Sequence, residues 1–137
     1  MKLEREMMRG AGPTAVMQLL TGGEKYGYEL VEALARQTDG VLAMGQSTLY
    51  PLLYNLQAKG LVKAQWRTAP PTSSDDSGGG RGRDRKYYAL TERGRTRLAS
   101  ETKQWNALAK AMAGLGVLDQ AAVSAIGGAA ASKAVTA

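Results

Sequence analysis

The sequence predicts a mainly α-helical fold with a small β-hairpin wing (α+β), a winged helix-turn-helix followed by a C-terminal dimerisation helix. Three observations predict it. In Gln46–Val62 (QSTLYPLLYNLQAKGLV), Leu49, Leu52, Leu53 and Leu56 share one helical face at i, i+3, i+4 and i+7, and hydroxyl-bearing residues crowd the other. Two β-prone stretches, Leu61–Arg67 and Arg85–Leu90, flank a long polar insert. Leu98, Trp105 and Met112 then recur every seven residues.

Gly12-Pro13 opens the first predicted helix, Pro13 to Thr21, because proline at the first helical position loses no needed hydrogen bond. Before it, Lys2 to Arg9 is expected to form a short helical arm with Met7 and Met8 as its apolar contact. The second helix is predicted over Glu24 to Arg36, with Tyr28, Leu30, Val31 and Leu34 on its buried side and Gly27 permitting close approach. Thr38-Asp39-Gly40 reads as a turn and Val41–Ala43 as short and strand-like. The third helix should start near Ser47, capped by Ser47 or Thr48 with Pro51 close to its first turn, and end at Gly60. Three short helices with a tight connection into the polar-faced third form a helix-turn-helix pattern.

Thr68 to Asp84 (TAPPTSSDDSGGGRGRD) is too polar to bury anything, so it is predicted as a flexible wing tip between the two strands. Thr91 caps the next helix, and Glu92 suits its first turn. Leu108 and Leu115 repeat at seven, offset by three from the first series, which completes an a/d seam. A helix this long needs a partner for that seam, and a second copy of the chain is favoured over folding back. The expected organisation is therefore a winged helix-turn-helix domain over 1–90, a dimerisation helix over 91–116, and a short helix (Val117–Ile126) with an Ala-rich disordered tail over 117–137.

Composition narrows the function. The 137 residues contain no Cys and no His, which removes disulfides, thiolate chemistry and the usual metal ligand and neutral-pH base. No carboxylate pair has an evident shared pocket, so neither an enzyme nor a metal or cofactor site is expected. The Gly78–Gly82 run lacks the strand-then-helix context and Gly-Lys-Ser/Thr ending of a phosphate loop. No stretch approaches a transmembrane span or a signal peptide, which predicts a cytoplasmic protein. Net charge is +6, and Arg81–Arg97 holds seven basic and two acidic residues, +5 of that excess. Such concentration suits a polyanion partner.

In this order, several motifs resemble the PadR family of transcriptional regulators: Tyr26-Gly27-Tyr28-Glu29-Leu30, Ser47-Thr48-Leu49-Tyr50-Pro51-Leu52-Leu53, Gly60-Leu61-Val62, Arg85-Lys86-Tyr87-Tyr88 and Leu90-Thr91-x-x-Gly94. Trp105 falls where that family often carries a Trp. The resemblance implies homodimeric repressors whose recognition helices enter successive major grooves of an inverted repeat while the wings reach the flanking backbone. It also implies release by small effectors, often planar aromatics, bound in or near the dimer interface. This chain departs from the pattern in three ways. Its wing is longer, Asn55 stands where a basic residue is frequent, and the segment after Gly116 has no clear counterpart.

On these grounds direct readout is assigned to Gln46, Ser47, Thr48, Tyr50 and Tyr54, whose amide and hydroxyl groups can bond base edges or phosphates. For Ser47 and Thr48 simple capping is the competing role, and for the tyrosines it is core packing. Arg81, Arg83, Arg85 and Lys86 are assigned to the phosphate backbone through the wing. Leu98, Trp105, Leu108 and Met112 are assigned to the dimer and effector interface, with Trp105 either a ligand platform or core. The expected partners are double-stranded DNA, a second copy of the chain and a planar aromatic effector. The alternative is a winged-helix module that binds protein or RNA.

Overall fold

The computed structural model describes residues 1–68 and 84–125. The chain divides into two compact units, Met1–Ala99 and Ser100–Ala137. The elements in order are α1 (Arg5–Leu20), β1 (Lys25–Tyr26), α2 (Gly27–Gln37), α3 (Gln46–Ala58), β2 (Val62–Thr68), β3 (Asp84–Leu90) and α4 (Glu92–Leu115). The helix-rich fold with one small antiparallel sheet is the predicted winged helix.

The expected arm and first helix are one helix running through Pro13. A proline inside a helix removes one backbone bond and costs about 3 kcal/mol or more. Tertiary anchoring offsets that cost. The Leu3 N–H donates to the Val41 carbonyl at 3.2 Å, Leu3 packs against the core, and Met8 is buried within it. One turn on, Gly12 lets α1 approach α3, since a Cβ there would stand 3.0 Å from Leu52 Cδ1.

Two further expectations are corrected near α2. Lys25 and Tyr26 are not helical but form β1, pairing antiparallel with Tyr88 and Tyr87 of β3. Helix α2 therefore begins at Gly27, and the Glu29 carboxylate accepts the Tyr26 N–H at 3.1 Å. Val41–Ala43 is not a strand, because its groups are spent on local turns. Val41 N–H donates to Thr38 O, Ala43 N–H to Gly40 O, and Leu42 N–H to the Thr38 hydroxyl. Asp39 and Gly40 both take positive φ to make that turn.

Helix α3 starts one residue before the expected Ser47, capped by Gly45, which places Pro51 a full turn inside. Its buried stripe is Leu49, Leu53 and Leu56. It ends as the Gly60 signal requires. Gly60 has φ +75°, its N–H donates to Gln57 O, and the Leu61 N–H reaches back to Leu56 O. The sheet order is β1-β3-β2, with Val62 opposite Leu90 and Thr68 opposite Asp84. Both strands thus extend one residue into the expected wing tip, where the Thr68 hydroxyl donates to the Asp84 carboxylate. The rest of that tip, including Arg81 and Arg83, lies outside the described residues.

The core unites buried side chains of α1, α2, α3, β2 and β3 with Leu98 of α4. The turn after α3 is stitched to the start of α4. Thr91 accepts the Gly94 N–H at 3.0 Å and donates its hydroxyl to Gly60 O at 2.7 Å, while its N–H donates to Leu61 O. Gly94 lies against the Leu61 carbonyl, in space that a Cβ would fill. The first unit accordingly runs past Leu90 to Ala99. In the second unit, the expected helix over 117–126 is helical at 120–125, opened by Asp119 accepting the Ala122 N–H. The tail over 127–137 lies outside the described residues.

Candidate nucleic-acid interface

All five residues assigned to readout on α3 are exposed: Gln46, Ser47, Thr48, Tyr50 and Tyr54. Ser47 and Thr48 lie inside the helix, Gly45 being the cap, and among the described residues neither side chain makes an intramolecular hydrogen bond. Capping is therefore not their role. Tyr54 is 72% exposed, which removes core packing as its explanation.

Tyr50 is set differently. Its ring end lies against Gly27, with Cζ 2.8 Å from where a Cβ would stand and the hydroxyl nearer still. The glycine that opens α2 thus holds the phenol of a surface residue on α3. Tyr50 also neighbours Tyr88, whose phenol is held above its usual pKa of 10.0 by burial and then by Tyr50.

The exposed ridge of α3 separates two clefts, and Pro51 and Asn55 line both. On the wing side a cleft of about 450 Å³ is lined by Tyr50, Tyr54, Gln57, Lys86 and Tyr88. Lys86 brings its charge there, with Nζ 5.8 Å from the Tyr88 ring centre and 5.9 Å from that of Trp66. Arg85 stacks on Tyr26 at 4.4 Å, so its guanidinium face is engaged in the sheet. Arg67 is similarly occupied, bridging Glu24 at 2.7 Å. On the other side a cleft of about 650 Å³ runs between α3 and the start of α1 and includes Thr48, Leu52, Lys2, Arg5 and Arg9.

Of the residues assigned to the dimer and effector interface, Leu98 is only 6% exposed and belongs to the first unit's own core. The seven-residue repeat could not reveal this, because it marks a face without saying what covers it. Trp105, Leu108 and Met112 lie in the second unit, where Trp105 is 40% exposed, Leu108 is exposed and Met112 half-buried. Sequence reasoning missed Gln57 as part of the outward face of α3. It also missed the basic residues Arg5 and Arg9, one turn apart on α1, and Lys2 just before that helix. Among the described residues no cluster of side chains could hold a metal ion, and no helix is long and apolar enough to cross a membrane.

A three-helix unit with a β-hairpin wing and an outward hydroxyl-lined third helix defines a winged helix-turn-helix protein of the DNA-binding class. The comparisons with known proteins specify the family. Residues 16–100, more than half of the chain, match the PadR-like family of transcriptional regulators. The chain belongs to that family and is a DNA-binding regulator. A PadR family transcriptional regulator from Eggerthella lenta is similar at 31% identity, covering 80% of this chain and 81% of that one, with a TM-score of 0.60. A Streptococcus transcriptional regulator shares 28% identity over 82% of this chain and 99% of its own, with a TM-score of 0.66. An uncharacterised protein of Lysinibacillus sphaericus is 27% identical over 73% of this chain and 83% of its own length.

Proposed function

We propose that the chain is a homodimeric cytoplasmic repressor that binds an inverted repeat in double-stranded DNA and is released by a planar aromatic molecule. One observation carries the duplex reading. The solvent face of α3 offers an amide, two hydroxyls without intramolecular partners among the described residues and two phenols, with no charge among them. Such a face suits hydrogen bonding to base edges in a major groove. Its lack of charge leaves the sequence-independent attraction to flanking cations, Lys86 and Arg85 among them. In the second unit, exposed Trp105 and Leu108 support pairing with another copy and a flat aromatic ligand beside the indole. A gel shift with competitors tests the proposal. Retention of one short inverted repeat under excess random duplex is expected. Equal displacement by random duplex, or preference for RNA, would overturn it and favour the protein- or RNA-binding alternative.

A further inference from the structure

The geometry points to a second phosphate-binding element, formed by Lys2, Arg5 and Arg9 at the start of α1, on the opposite side of α3 from the wing. This inference rests on the reading of α3 as a duplex reader. It adds a charged contact surface outside the wing.

Two placements support it. First, charge is sorted. The first nine residues carry Glu4 and Glu6 as well as the three cations, yet the cleft against α3 is lined by Lys2, Arg5 and Arg9 and by neither acid. Among the described residues none of the three cations is in an ion pair or hydrogen bond, and all are exposed. Second, the segment is fixed. Met8 is buried, Leu3 is tied to Val41, and Gly12 is in close approach to Leu52 of α3. The cleft wall facing the cations is Thr48, Pro51 and Asn55, all on the exposed side of the recognition helix.

The two sides are therefore complementary. Pro51 and Asn55 form a ridge shared by both clefts, with Lys86 across one and Lys2, Arg5 and Arg9 across the other. A duplex whose major groove receives that ridge presents a sugar–phosphate strand on each side of it. The wing suits one strand and the start of α1 the other. This also accounts for a recognition helix that carries no positive charge before Lys59.

The test is the salt dependence of binding to a fluorescent mixed-sequence duplex of about 30 base pairs, measured by anisotropy on the full chain. The triple variant Lys2→Gln/Arg5→Gln/Arg9→Gln should bind at least roughly tenfold more weakly, and its log-log salt slope should fall by about 0.9 for each phosphate no longer neutralised. The charge-retaining Arg5→Lys/Arg9→Lys variant should keep most of the slope, and Lys103→Gln/Lys110→Gln in the second unit should leave it unchanged. A triple variant with the parent slope, alongside Lys86→Gln with a reduced one, overturns this inference and leaves the duplex reading standing. An equal loss in the Lys103/Lys110 variant also overturns it, because net charge would then suffice. Failure of the parent chain to bind the duplex at all overturns both readings.

Discussion

The Tyr50 hydroxyl occupies the space that a β-carbon would need at Gly27. A backbone position at the start of α2 thereby sets a side chain on the outward face of α3. Tyr50 as a whole is 41% exposed, so the contact constrains orientation more than it contributes buried area.

Gly27→Ala should displace Tyr50, with a net stability change of no more than about 1 kcal/mol, since the obstructing atoms are the far end of a partly exposed side chain that can move aside. In a Tyr50→Ala background the same change should become neutral or stabilising by up to about 1 kcal/mol, because alanine is the better helix former. A double-mutant cycle by urea unfolding measures the coupling. DNA affinity of Gly27→Ala should fall toward that of Tyr50→Ala.

At Gly94 no such escape exists. The obstructing group is the Leu61 carbonyl, held in place by the N–H of Thr91. Gly94→Ala should therefore destabilise the fold by roughly 2–3 kcal/mol, read as a lower urea midpoint with an unchanged slope. Thr91→Val, which removes the hydroxyl that accepts the Gly94 N–H, should cost about 1 kcal/mol.

Ser47→Ala separates the two roles a serine can play at the head of a recognition helix. Gly45 is the cap and Ser47 is exposed inside the helix, so stability should change by no more than about 0.5 kcal/mol. Loss of a true cap would instead cost about 1 kcal/mol. Binding to a selected DNA site should weaken while binding to random duplex is unaffected.

Tyr88 supplies a pH dependence. Its folded pKa is raised above 10.0 by burial first and Tyr50 second, so the protonated phenol favours the native state. That contribution is fully present below the unfolded value near 10 and is lost as pH rises through the raised folded value. Stability should therefore fall above about pH 10, and Tyr88→Phe should flatten the fall. Urea midpoints across the alkaline range measure it.

Much of this architecture was legible in the sequence because its signals are local. The leucine period of α3, Gly60 as its stop and Thr91 as a cap are each determined within one turn of chain. What was not legible depended on distant partners. Lys25–Tyr26 form a strand only because Tyr87 and Tyr88 arrive some sixty residues later to pair with them. Pro13 reads as a helix start until Leu3 and Met8 are seen anchoring the residues before it. Leu98 fits the heptad as well as Trp105 does, and only packing separates a core residue from an exposed one. The face proposed for readout was visible as a set of hydroxyls. The side of α3 facing Lys2, Arg5 and Arg9 was not, because no period links residues more than forty positions apart.

The central claim is that the uncharged outward face of α3 discriminates between DNA sequences while flanking cations hold the duplex. Selection of bound duplexes from a randomised pool, followed by sequencing, tests it most directly. The parent chain should enrich an inverted repeat with half-site centres about one helical turn, roughly 10 base pairs, apart, and Ser47→Ala/Tyr54→Ala should lose that enrichment while still retaining DNA at low salt. A bound pool indistinguishable from the input, or one unchanged by the α3 substitutions, would contradict the account.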